Sequence, residues 1–411
     1  MRRPIRIAHV ITRLILGGAQ ENTLLTAMGQ HSDPAFEVDL ITGTQTGPEG
    51  DLFGKAREAG VNLLFIPSLI REIRPLADIR AYYALRAMLK RGHYDIVHTH
   101  SSKAGILGRI AARSVGVPMV VHTLHSLVFH KYESRWRNAL YIGLERWCAR
   151  LADVLICVNE ETARGAIAAN IGKKEQYRVI YSGMDLDLFL EAGKRLSTQA
   201  AKSSLGIPAD APVVGKIARL APLKGHEYFL QAARKIADAV PDAWFLLVGD
   251  GPLRAQLHDQ ARGLGIAHRT VFAGLVAPED VPRHIQAMDV VVHTSLREGI
   301  ARVLPQAGAT GKPIVVFDLD GAPEVVRDGV SGYLVSPRDS EGAAHRVVEL
   351  LHNPARCHAF GENGRAFAAA NFRTEQMVRE INQIYFSLLG STRPTGQTKV
   401  NDAVTAQIEP R

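Results

Sequence analysis

The sequence predicts an α/β protein made of two doubly wound, Rossmann-like arrays of parallel strands and helices, set in tandem and facing a central cleft. Three observations carry this reading. Short apolar runs alternate with helix-length amphipathic stretches from one end of the chain to the other. The runs are continuously apolar and do not alternate with period two, the pattern of strands covered by helices on both faces. The alternation also restarts near residue 212 in a chain of 411 residues, about two to three times a usual domain.

In order, IRIAHVI (5–11), EVDLIT (37–42), NLLFI (62–66), YDIVH (94–98), PMVVHT (118–123), DVLICV (153–158) and YRVIY (177–181) read as strands. Segments 75–91 and 132–151 have the length and spacing of helices between them. The stretch 185–211 is polar, carries no strand signal and ends in a proline-bounded turn, so it marks the seam. PVVGKIA, AWFLLVG, TVFAG, DVVVHT, PIVVFD and GYLVS then alternate with helices. The expected domains are 1–190 and 191–370, with a helix over 371–390 packing back towards the first. Residues 391–411 lack apolar periodicity and are expected to be a disordered tail. A ligand is expected in the cleft between the carboxyl edges of the two sheets.

Composition excludes several classes. Hydrophobic residues make up 46% and charged residues 22%, which rules out a wholly disordered or collagen-like chain. No apolar run reaches eighteen residues, so no membrane span is expected. The basic start MRRPIRIAHVI lacks a small-residue cleavage site, and its apolar part belongs to the first strand, so it is not read as a signal peptide. Lys+Arg 49 against Asp+Glu 41 gives 49 − 41 = +8. That excess suits phosphate-bearing ligands, nucleic acid or an anionic membrane without choosing among them. The three cysteines, Cys148, Cys157 and Cys357, are far apart and form no CxxC, which points to a reducing cytoplasm.

The loop after the first strand holds Gly17 and Gly18 just before a helix. Paired glycines let a backbone approach an anion at the helix start, although they equally suit a plain tight turn. GxGxxG is absent, which weakens a dinucleotide reading. Arg219 and Lys224 follow the strand VVGKIA, and a guanidinium and an ammonium five residues apart can clamp a diphosphate. Gly251 lies in a Gly-Asp-Gly-Pro turn after another strand, a helix start in its own right. Glu298 and Gly299 sit on the loop after DVVVHT, and Gln306 falls on the following helix.

The strings GGAQ, HTLH, GKIARLAPLKG, GDGPLR, REG…LPQA and GAPEVVRDG occur in this order over roughly residues 5–385. Together they resemble the retaining glycosyltransferases of the GT-B fold, family four. The resemblance implies a metal-independent transferase moving a hexose-type sugar from a UDP- or GDP-linked donor to a hydroxyl of a glycan or lipid-linked acceptor. It implies no further cofactor, and a place in cell-surface glycan or glycolipid synthesis. The first domain would hold the acceptor and the second the nucleotide sugar. Arg219 and Lys224 would neutralise the diphosphate, with the Gly17 and Gly18 amides, and Gly251 would line the donor site. Glu298 would hold the sugar hydroxyls, and Gly299, Ile300 and Ala301 would be substrate-binding. His125 would face it from the other domain. The family's Glu-x7-Glu pattern falls on Glu298 and Gln306. Gln306 departs from that pattern, and a neutral amide in place of a ribose-binding carboxylate costs roughly 1 kcal/mol.

Other clusters carry weaker signals. His98, His100, His122 and His125 offer imidazoles to a metal. They are expected at strand ends with diverging side chains, so no metal site is expected; His98 and His122 are read as core residues. Asp185-Leu-Asp187 and Asp318-Leu-Asp320 are read as loop carboxylates and not as metal ligands. Segments 71–91 and 130–150 mix arginines with Tyr, Trp and Leu at helical spacing. This suits either core packing with a solvated basic face or peripheral contact with an anionic membrane on its cytoplasmic side. A nucleotide-sugar 2-epimerase and a non-catalytic descendant that only binds donor share the expected architecture. Nucleic acid is not an expected partner, because no aromatic-basic binding module occurs.

Overall fold

The protein is described by a computed structural model covering residues 3–47 and 50–390; the tail expected at 391–411 lies outside them. The first array is a seven-stranded sheet in the order β3-β2-β1-β4-β5-β6-β7. Its strands are β1 Ile5–Ile11, β2 Phe36–Thr42, β3 Asn62–Phe65, β4 Ile96–His100, β5 Met119–Leu124, β6 Val154–Cys157 and β7 Tyr177–Val179. The second is a six-stranded sheet in the order β10-β9-β8-β11-β12-β13. It contains β8 Val213–Ile217, β9 Trp244–Val248, β10 Thr270–Gly274, β11 Val290–His293, β12 Ile314–Phe317 and β13 Gly332–Val335. Every ladder is parallel. In both sheets the strand order reverses beside the first strand, between β1 and β4 and between β8 and β11. At such switch points neighbouring loops leave in opposite directions and open a crevice.

The helices that position the site are α1 Gly18–His31, α2 Pro75–Gly92, α3 Ser102–Ser114, α4 Arg135–Ala149, α5 Glu160–Ala168, α6 His226–Ala239, α7 Val303–Ala309, α8 Pro354–Asn371 and α9 Thr374–Leu388. No helix among the described residues is long and apolar enough to cross a membrane. The seam carries no strand, yet it is not a bare linker. Short helices form there, and Met184, Leu186, Phe189 and Ala201 are buried in the core of the second array. The chain then returns: α9 packs on α1, placing Met377, Ile381 and Tyr385 in the core of the first array.

One sequence expectation fails here. The strand expected at 94–98 runs Ile96–His100, because the Asp95 carboxylate accepts the Arg6 amide and Tyr94 bonds Asp39. His98 and His100 are therefore inside the strand, two residues apart and on one face, and His9 of β1 is in register with His98. Far from diverging, the rings of His98 and His100 lie 4.2 Å apart between centroids. His122, inside β5, takes the other face and bonds Thr99 Oγ1 at 2.9 Å. His98 and His122 are buried core residues, as their sequence context implied.

These rings are held neutral. Burial lowers His9 to about 4, and burial together with neighbouring rings lowers His98 and His100 well below the usual value; for His122 the causes are burial and the nearby Arg109. Below pH 6.5 the unfolded chain thus binds more protons than the folded one. Stability is fully present above about pH 6.5 and falls on acidification, by on the order of 1 kcal/mol per histidine per pH unit until the folded pKa is reached. The thermal midpoint is expected to be flat from pH 8 to 7 and to drop steeply from pH 6.5 to 5. An unchanged midpoint across that lower range would show that the folded rings accept protons.

Candidate functional site

The loops of the second array that carry Arg219, Lys224 and Gly251 are shaped by the backbone. After β8, Leu220 N–H donates to Asp250 O at 2.9 Å and Leu253 N–H to Leu220 O at 3.0 Å, tying the Arg219 loop to the Gly-Asp-Gly-Pro turn. Gly251 has φ +154°, and a Cβ there would lie 2.5 Å from Leu220 O, so no larger residue fits. Arg219 is exposed, and the His226 ring bonds its carbonyl at 3.0 Å. Lys224 lies between two left-handed residues, Leu223 (φ +67°) and Gly225 (φ +65°), at the start of α6. Thr294 locks that turn by donating to Gly225 O at 2.7 Å, and the buried Lys216 ammonium donates to Thr294 Oγ1 at 3.0 Å. Burial lowers Lys216 to about 7.

Lys224 Nζ meets Glu298 Oε1 at 2.5 Å. Burial alone would raise the Glu298 carboxyl, but His293 and Lys224 outweigh it and bring it to about 2. Lys224 is the stronger of the two: His293 Nε2 is 3.5 Å away and not aligned for a hydrogen bond, and burial lowers His293 itself to about 4. Asp320 fixes the Glu298 backbone, accepting its N–H at 2.6 Å. Of the two Asp-x-Asp strings, the second thus supports Glu298, while Asp187 of the first pairs with Arg373 at 3.0 Å.

The loop Glu298–Ala301 bears directly on the first domain. A Cβ on Gly299 would lie 2.4 Å from the His125 carbonyl, so the two expected sugar-facing elements touch. Arg297 donates to Leu127 O at 2.8 Å, Arg302 pairs with Glu21 of α1 at 2.7 Å, and Gly18 packs on the Arg302 side chain. Glu324 reaches across to the start of α5, accepting the N–H groups of Glu160 at 2.7 Å and Glu161 at 2.9 Å. The domains are therefore closed on the cleft. A cavity of about 160 Å³ lies beside His125, lined among others by Ala19, Ser101, Leu127, Phe129 and Glu145. Burial lowers His125 to about 4, so its ring is neutral.

The structure thus brings together Gly18, Lys224, Glu298, Gly299 and His125, with Gly17 starting α1 and Ile300 and Ala301 following Gly299. Gln306 is half-buried on α7, and its side chain makes no hydrogen bond among the described residues. Sequence reading missed Glu21, Lys216, His293, Arg302 and Glu324. The last lies inside the quoted string GAPEVVRDG, but its partners are backbone amides of the other domain.

Comparison with known proteins identifies the family and the fold. Glycosyl transferases group 1 matches residues 197–367, and Glycosyltransferase Family 4 matches residues 17–188. The UDP-Gal:alpha-D-GlcNAc-diphosphoundecaprenol alpha-1,3-galactosyltransferase of Escherichia coli is 31% identical over 94% of this chain and 97% of its own. The D-inositol 3-phosphate glycosyltransferase of Mycobacterium marinum is 32% identical over 77% and 68%. Among solved structures, Anabaena HepE in complex with UDP and glucose aligns with TM-score 0.77 at 24% identity, covering 93% of this chain and 100% of that one. Sucrose-phosphate synthase of Thermosynechococcus elongatus aligns with TM-score 0.80 at 22% identity over 94% and 100%. The chain belongs to the group 1, family 4 glycosyltransferases, has their GT-B fold, and is a glycosyltransferase.

Glu324→Gln tests the closed contact. One amide oxygen replaces two charged acceptors, so one N–H at the start of α5 loses its partner and the other its charge assistance, a loss of roughly 1–3 kcal/mol. The radius of gyration by small-angle scattering is expected to rise in the variant, and donor affinity to fall at least several-fold. An unchanged radius would mean that this contact does not hold the domains together.

Proposed function

We propose that this glycosyltransferase moves a hexose-type sugar, with retention of configuration, from a UDP- or GDP-linked donor to a hydroxyl of a lipid-linked glycan acceptor, without a metal ion. The observation that carries the reading is the Lys224–Glu298 pair, seated where the Gly299 backbone meets His125 across the cleft. On donor binding, Lys224 turns to the diphosphate with Arg219, and Glu298 to the sugar hydroxyls. The acceptor oxygen bonds to the anomeric carbon on the face from which the diphosphate oxygen departs. The acceptor proton passes to that oxygen, and the nucleoside diphosphate leaves. Glu298 is held by a cation and Asp320 by an amide, which favours this same-face route over a carboxylate nucleophile. The protein's contribution is preorganised charge stabilisation in a site that closes over the reactants.

The acceptor side supports a membrane-bound substrate. Exposed Ile73, Leu76 and Tyr83 lie along α2 and its approach, and exposed Trp136, Leu140 and Trp147 along α4. The two helices flank α3, which is tied to α2 by Lys103–Asp78 at 2.6 Å and to α4 by Arg109–Glu145 at 3.0 Å. Exposed Arg74, Arg80, Arg137 and Arg146 accompany the apolar groups. An apolar-basic face of this kind suits anionic headgroups at the cytoplasmic surface of a membrane.

Two sets of measurements test the proposal. Arg219→Ala and Lys224→Ala are each expected to lower kcat/KM by roughly 2–4 kcal/mol, with EDTA leaving the wild type active. Glu298→Gln is expected to lower kcat. Gln306→Glu acts on KM by at most about tenfold, because ribose is held alike in ground and transition states. Full turnover in both cation variants, strict loss with EDTA, or epimerised sugar released without acceptor would each reject the reading. Separately, binding to anionic vesicles is expected to weaken with salt, and roughly tenfold or more in the Trp136→Ala/Leu140→Ala double variant. Equal binding by that variant would remove the membrane assignment.

A further inference from the structure

Behind His125 runs an unbroken line of buried polar side chains. His125 Nε2 lies 3.3 Å from His100 Nδ1, His100 Nε2 lies 3.0 Å from His9 Nδ1, and His9 Nε2 lies 2.7 Å from Gln30 Oε1. Gln30 Nε2 donates to Asn382 Oδ1 of α9 at 2.9 Å. The amide also bonds the Tyr385 phenol, which lies 2.5 Å from His98 Nδ1, while His98 Nε2 meets Thr123 Oγ1 at 2.7 Å.

The line has one direction. Gln30 spends its N–H groups on Asn382 and Tyr385, so its oxygen faces His9 and can only accept. His9 therefore carries its proton on Nε2. Being neutral, it presents a bare Nδ1, which must receive the Nε2–H of His100. The same logic makes His100 Nδ1 an acceptor and puts the proton of His125 on Nε2. With these tautomers, a second proton on His9 or His100 would set two N–H groups against each other in a dry interior.

We propose that His100 and His9 are positioning residues that hold His125 as the neutral Nε2–H tautomer, so that its Nδ1 is an acceptor for a substrate hydroxyl. This rests on the proposed function, with His125 taken to face the transferred sugar as the family resemblance implies. His9, His98 and His100 place ring nitrogens within 4.8 Å of one another, a spacing that also admits a metal ion. Each nitrogen of the three already has a hydrogen-bonding partner, and the tautomer chain accounts for those of His9 and His100.

Long-range proton–nitrogen spectra of the ¹⁵N-histidine-labelled protein test this, with the His125 signal assigned by its loss in His125→Asn. The wild-type ring is expected as a single tautomer, protonated at Nε2 and unchanged from pH 7 to 8. His100→Leu is expected to give a tautomer mixture and to lower kcat about three- to tenfold with the donor KM within about twofold. His100→Asn, whose carbonyl oxygen can stand where Nδ1 stood, is expected to recover the single tautomer and most of kcat. A wild-type His125 protonated at Nδ1 or mixed overturns the proposal, as does a spectrum of the His9 and His100 rings that shifts on adding EDTA. The spectra stand whether or not the protein transfers sugar. If the wild-type tautomer is as stated but His100→Leu leaves kcat unchanged, the positioning role fails while the assignment of Lys224 and Glu298 is untouched.

Discussion

The site depends on one contact, the Lys224 ammonium against the Glu298 carboxylate. Glu298 lies where burial favours its neutral form, and the neighbouring His293 ring is itself kept uncharged. A cation at 2.5 Å reverses that preference. The backbone on both sides of the pair is constrained to make it. Lys224 is delivered between the left-handed residues Leu223 and Gly225, the latter locked through Thr294, and Glu298 by the Asp320 carboxylate on its amide. Gly299, the next residue, meets the His125 carbonyl of the other domain. The ion pair in one domain thus sets the position of the loop that meets the other.

Much of this was legible in sequence. Parallel strands buried on both faces leave continuous apolar runs, and thirteen such runs lie at or close to the observed strands. The six ordered strings marked Lys224, Glu298 and His125 as parts of one site. Two kinds of information were not in the string. Tyr94 reads as a strand residue because apolar continuity cannot reveal that the Asp95 side chain caps a neighbouring strand's amide. The convergence of His9, His98 and His100 required the β1–β4 register, which links residues some ninety positions apart. The spacing of His98 and His100, two apart, was the available hint that they share a face. Contacts made only on closure, such as Arg302–Glu21 and Glu324 on α5, have no local signal at all.

The two halves hold their functional groups differently. In the second array the main chain does the placing, through tight turns at Gly225 and Gly251 whose Cβ positions are occupied by carbonyl oxygens. In the first array the placing is done by side chains, in a hydrogen-bonded core that must stay uncharged to persist.

The chain crosses between the halves twice, and the crossings lie side by side. Met184 N–H donates to Phe372 O at 2.8 Å, and Thr374 N–H to Met184 O at 3.3 Å. In covalent terms the second array is an insertion into the first, with its two ends adjoining. A hybrid enzyme assembled with a single junction at the seam would carry a foreign α9 into the native first half, and with it the groups that bond Gln30 and His98. Exchanging the segment between the two crossings as a cassette leaves Asn382 and Tyr385 with their own histidines. Recombination that respects both junctions, and not the domain border alone, is the route by which this scaffold can exchange its second array while keeping the hydrogen-bonded core of its first.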